Sequence, residues 1–115
     1  MNHLKPKIVI GLVEKIRIIG RAKQKEVSAK IDTGATKSSI DKRLADELNV
    51  GPIIKSKLVK SAHGNKIRPV VEAVILLAGK TIKAEFTLAD RIHMKYPALI
   101  GQNILKSGFL IDPNK

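Results

Sequence analysis

The chain has 115 residues, enough for one domain with its own core and too few for two. It carries 22 Lys plus Arg against 10 Asp plus Glu, a formal charge of +12, and is 43% apolar, a share that sets it apart from disordered sequences. With no cysteine it holds no disulfide framework, thiolate zinc site or cysteine nucleophile, and no apolar run reaches the ~20 residues of a membrane-spanning helix. The first residues, Met1 to Lys7, are polar and basic rather than an apolar signal core, so the expected location is cytoplasmic. The aromatic residues are Tyr96, Phe86 and Phe109, which leaves Ile, Val, Leu and Ala to build the core.

In chain order, residues 8–10 and 15–19 are predicted as short strands, punctuated by Gly11 and Gly20. Residues 20–25 read as a hairpin connection, and 26–32 alternate polar and apolar side chains with the period of a half-buried strand. That strand runs into Asp32-Thr33-Gly34-Ala35, with another short strand predicted at Ser38-Ser39-Ile40. Residues 41–49 form the helix candidate, with Asp41 as N-cap, Leu44, Ala45 and Leu48 on one face, and Gly51-Pro52 as the stop. Residues 57–62 and 66–71 flank the turn-prone His63-Gly64-Asn65, and 70–77 and 81–88 flank Ala78-Gly79-Lys80, so two hairpins are expected. A buried strand end at 98–101, a short helix at 102–106 and a last strand at 108–112 complete a mostly β chain with one or two short helices.

Asp32 stands apart among the acidic residues because it ends an apolar strand, where a carboxylate is costly unless hydrogen-bonded or used. Gly34, two residues on, lets the backbone turn sharply and approach another group closely. Alone, Asp-Thr-Gly fits an ordinary turn. Ser38 and Ser39 lack a His or Lys placed as an activating base, and Glu72 and Glu85 read as solvent-facing. His63 reads as an exposed turn residue, with His93 and Tyr96 near the surface. The basic residues form no block of five, and no aromatic pair or Cys/His finger offers a nucleic-acid platform. An acidic substrate or partner explains the charge about as well as nucleic acid does.

In combination, Asp32-Thr33-Gly34-Ala35, Ser38-Ser39-Ile40, the following helix and Ala98-Leu99-Ile100-Gly101 before Gln102-Asn103-Ile104-Leu105 resemble the retropepsin-like aspartic protease pattern. Within it, the segments from Phe86 to Met94 and from Phe109 to Pro113 are similar to a small prokaryotic family labelled ATP-dependent zinc proteases. The residues do not carry that label. His3, His63 and His93 lie far apart, no His-Glu-x-x-His occurs, and no phosphate-binding Gly-x-x-x-x-Gly-Lys loop is present, so neither metal nor cofactor is expected.

The resemblance implies a single retropepsin-like domain over residues 1–115, core about 8–113, folded as one acid-protease barrel lobe. It implies a homodimer too, because the chemistry needs two aspartates sharing one proton and this chain has a single Asp-Thr-Gly. Asp32 would be the catalytic carboxylate, with Thr33 bonded across the two-fold axis and Gly34 leaving room for substrate. Ala35 and Thr36 would line the first specificity pockets, and His63, Gly64 and Asn65 would form the flap closing over the peptide. Gly101 would pack beneath the catalytic loop. Retroviral members usually pair Asp and Arg where this chain has Thr36 and Gln102, so a hydrogen bond is expected in place of that ion pair. Related proteins are often encoded beside ATP-grasp ligases that add glutamate to proteins, which implies an acidic protein tail as substrate or partner. The alternative is a non-catalytic dimeric β-barrel module that binds acidic tails or RNA.

Overall fold

Alternation with period two turns most of the chain into strand. In the computed structural model, which describes residues 6–62 and 64–115 without the side chain of Ser61, β2 (Val13–Ile19) and β3 (Gln24–Ile31) pair antiparallel from Val13↔Lys30 to Ile19↔Gln24. Each buries alternate residues, Ile16 and Ile18 from one and Ala29 and Ile31 from the other. Both strands start two residues before their predicted positions.

Two hairpins follow from one long strand. β6 (Gly64–Leu77) pairs with β5 (Ile53–Ser61) along its first half and with β7 (Lys80–Ala89) along its second. The segments predicted separately at 66–71 and 70–77 are therefore continuous. Pro69 breaks nothing, because pairing with β7 begins only at Val70↔Thr87 and a residue lacking N–H is tolerated where one side of a strand has no neighbour. The expected turn at 63–65 is corrected as well. Gly64 and Asn65 already belong to β6, opposite Ser61 and Lys60, and His63 lies outside the described residues.

The large sheet runs β2-β3-β8-β4-β7-β6-β5, and β2 pairs a second time, with β6 from Ile16↔Leu77 to Ile19↔Val74. That second pairing closes six strands into a barrel and leaves β5 as the outer arm of a hairpin. β8 (Ala98–Ile100) lies parallel to β3 and antiparallel to β4 (Ser38–Asp41), which in turn runs parallel to β7. β1 (Ile8–Ile10) and β9 (Phe109–Ile111) form a separate parallel pair. The interior is filled by Ile, Leu and Val around Phe86, all fully enclosed, each worth about 1.5–3 kcal/mol of burial.

Helix α1 (Lys42–Leu48) covers one end of the barrel through Leu44, Ala45 and Leu48, as its spacing predicts. Asp41 caps it, accepting from the amides of Arg43 and Leu44. Its stop differs from the expectation. Asn49 enters the left-handed region at φ 57° and donates to the Ala45 and Asp46 carbonyls, ending the helix two residues before Gly51. Asparagine is among the few side chains that visit that conformation routinely.

Candidate active site

Asp32 follows directly on β3, and its position is set from below by β8. Its amide donates to the Ile100 carbonyl at 2.9 Å, extending the parallel pairing one residue beyond Ile31↔Ile100. The chain then turns tightly, with the Ala35 amide donating to the Asp32 carbonyl at 3.3 Å. The Gly34 amide donates to Asp32 Oδ1 at 3.0 Å, so the half-buried carboxylate is held by its own loop. Gly34 does not use the left-handed region. Its need is for space, since a Cβ there would stand 3.3 Å from Asp32 Oδ1.

Helix α2 (Gln102–Leu105) grips the loop from the other side. The amides of Gln102 and Asn103 donate to the carbonyls of Ala35 and Thr36 at 2.8 and 3.2 Å. Gly101 passes so close beneath that a Cβ would overlap the Lys37 carbonyl and stand 2.8 Å from the Ala35 oxygen, consistent with the packing role expected for it. The Gln102 side chain does not meet Thr36. Its Nε2 donates to the Thr33 carbonyl at 2.7 Å, and Thr36 is held through its backbone instead. The hydrogen bond expected between Thr36 and Gln102 in place of an ion pair is therefore not formed, and Gln102 holds the Thr33 carbonyl instead. A neutral amide suits a carbonyl acceptor that needs no counter-charge.

Beside the loop, the β5–β6 hairpin borders an open groove of about 420 Å³. Gly34, Ala35 and Thr36 form one wall, and Lys57, Val59 and Arg68 the other. Ala35 and Thr36 thus line a groove beside the Asp32 loop. Gly64 and Asn65 lie beyond the Val59↔Lys66 pair, outside the described lining, because the hairpin is longer than predicted and its middle rather than its end borders the groove.

Sequence reasoning missed three groups. Buried Ser38 and half-buried Asn103 form a hydrogen-bonded pair behind the loop. Arg91 is 9% exposed, and its Nε and Nη1 donate to the Tyr96 carbonyl at 3.0 Å and to Ser39 Oγ at 3.3 Å. Burial holds its guanidinium below the usual arginine value, with Asp41 opposing and the nearby Arg68 charge adding to the depression. Arg68 itself lines the groove. The i, i+2 spacing of Lys57 and Val59, and of Lys66 and Arg68, was the available signal that one hairpin face is basic. Glu72 and Glu85 pair with Lys83 and Lys55 at 3.3 and 3.0 Å, outside this cluster. Among the described residues no three His, Asp or Glu side chains gather as metal ligands do.

A closed six-stranded barrel whose Asp-Thr-Gly loop is underpinned by a Leu-Ile-Gly strand and short helix is a retropepsin-like lobe. The family model described as retropepsin-like aspartic endopeptidase RimB (RimB-like) matches residues 41–115, and the chain belongs to that family. Among solved structures it is similar to Lpg0085, a protein of unknown function from Legionella pneumophila, at 26% identity over 94% of this chain and 95% of that one, TM-score 0.66. It is also similar in fold to the protease of simian foamy virus, at 20% identity over 82% and 91% of the two chains, TM-score 0.61. Comparison with curated proteins gives no match. No helix among the described residues is long and apolar enough to cross a membrane.

Proposed function

We propose that the protein is a homodimeric aspartic endopeptidase in which Asp32 and its symmetry mate activate water. One carboxylate removes a proton from the water as its oxygen adds to the scissile carbonyl carbon. The other, protonated, polarises the carbonyl oxygen and supplies the proton taken up as the C–N bond breaks. The observation that carries this reading is the Asp32 carboxylate held by the amide of Gly34, the first of the loop residues that line a groove beside the β5–β6 hairpin, in a chain of the RimB-like family. A second copy is required because the 115 residues hold one Asp-Thr-Gly. Thr33 and Gly34 would complete each half-site, Ala35 and Thr36 would contact substrate beside it, and residues 63–65 would close over the peptide. The substrate class that suits the +12 charge is a carboxylate-rich peptide or protein tail.

Asp32→Asn tests the chemistry. Peptide cleavage should fall by at least about a hundredfold while sedimentation still reports a dimer. Undiminished cleavage by the dimeric variant, or activity from a strictly monomeric wild type, would overturn it. The basic groove favours a second reading, a barrel that binds acidic tails without cutting them. Binding of acidic peptides with no hydrolysis at any pH from acid to neutral would select that reading.

A further inference from the structure

Arg68 stands on β6 opposite Lys57, and both side chains share the hairpin face that turns toward the Asp32 loop. Its Nε is buried without a hydrogen-bond partner, and none of the described ion pairs includes it. A buried, charge-bearing nitrogen stripped of water and given no acceptor is a costly arrangement that native structures retain for a reason. Nearby charges do not supply the acceptor. Arg91 is close enough to repel it, and the Asp41 carboxylate is already engaged, Oδ1 by the Arg91 amide at 2.8 Å and Oδ2 by the amides of Arg43 and Leu44. Lys37 and Lys57 add positive charge to the same groove, whose described lining contains no Asp or Glu.

We infer that Arg68 is a specificity residue, whose guanidinium receives a side-chain carboxylate of the bound peptide close to the scissile bond. This rests on the site reading above and assigns its charge preference to one side chain. The planar guanidinium edge matches a carboxylate in bidentate fashion, which a lysine cannot do. Arg91, fixed by Tyr96 and Ser39, acts as a neighbouring positive charge that does not move. The described groove lining, with Gly34, Ala35, Thr36 and Val59 in it, offers no aromatic face on which a base could stack, so a peptide fits better than RNA. Because Arg68 belongs to the hairpin, the salt bridge would also fasten that wall of the groove onto an acidic substrate.

The test uses two peptides that differ by Glu or Gln at a position flanking the cleaved bond. Wild-type protein should favour the Glu peptide by about tenfold or more in kcat/KM, and Arg68→Met should bring that ratio toward unity. Arg68→Lys should restore part of it. Thermal melts of each variant check folding. A second arm separates this inference from the catalytic one: dissociation constants of both peptides for Asp32→Asn and for Asp32→Asn/Arg68→Met. If nothing is cleaved but the Glu preference in binding depends on Arg68, the inference stands and the protease reading falls. A Glu-to-Gln ratio that Arg68→Met leaves unchanged in both arms overturns the inference. So does an Arg68-dependent affinity for single-stranded RNA with none for acidic peptide.

Discussion

Ser38 Oγ donates to Asn103 Oδ1 at 2.7 Å across 65 residues of sequence, and the same oxygen accepts the Gly101 amide at 2.9 Å. Asn103 then donates through Nδ2 to the Glu85 carbonyl at 3.0 Å. Four segments, from β4, β8, α2 and β7, meet in this knot directly behind the Asp32 loop. A fully enclosed hydroxyl is tolerated there because both its hydrogen-bonding roles are filled.

Ser38→Ala leaves the Gly101 amide and the Asn103 carbonyl oxygen without that partner, at about 1–3 kcal/mol for a buried unsatisfied group. The urea midpoint should drop by that amount at unchanged slope. Ser38→Thr keeps the hydroxyl and should recover part of the loss.

Gly101→Ala should be worse for the site than for the barrel. The new methyl meets backbone oxygens of Lys37 and Ala35, which cannot rotate away as side chains do. Overpacking of this kind costs about 1–3 kcal/mol, and the shift it forces falls on the loop that carries Asp32. Cleavage should decline more steeply than stability, read by kcat/KM beside a denaturation curve.

Asp41 has two duties, capping α1 and accepting the Arg91 amide. Asp41→Ala removes both, so a loss of about 2 kcal/mol or more is expected, above the ~1 kcal/mol typical of a lost cap alone. Asp41→Asn keeps an acceptor for the helix and should fall between the two. Equilibrium unfolding of the three proteins ranks them.

Asp90 sits on the surface, and its carboxylate is held below the ordinary range, first by the Ile92 amide bonded to Oδ1 at 3.2 Å, which outweighs an opposing desolvation, and then by the charges of Lys42, Arg43 and His93. A folded-state pKa below the unfolded one means its contribution is present above the unfolded value and fades as pH falls through the folded one. Asp90→Asn should therefore be less stable than wild type at neutral pH, and the gap should close in acid. Stability curves across the carboxylate range check the sign.

Much of the site was legible because its sequence signals are local. The alternation of 26–32 delivers Asp32 to a strand end, and Asp41 with Leu44, Ala45 and Leu48 declares a capped amphipathic helix. What escaped notice depends on contacts between distant segments. Arg91 becomes buried only because Ser39 and Tyr96 close around it, and Arg68 reaches the groove only because a continuous 14-residue β6 brings the hairpin beside the loop. Val70 was shared between two predicted strands for the same reason: nothing in its neighbours marks where pairing passes from β5 to β7.

The loop between Asp32 and Ser38 is bonded to strands and helix along its whole course, through Asp32 to Ile100, Ala35 to Gln102, Thr36 to Asn103 and Thr33 to the Gln102 side chain. Its length is therefore not negotiable. One inserted residue would put every later acceptor of the loop out of step with its donor on α2, whereas the Ala78–Gly79 turn between β6 and β7 could absorb one, with open space around Gly79. What the groove of this chain accepts can be varied by exchanging side chains along its walls, but not by lengthening the loop that bears the aspartate.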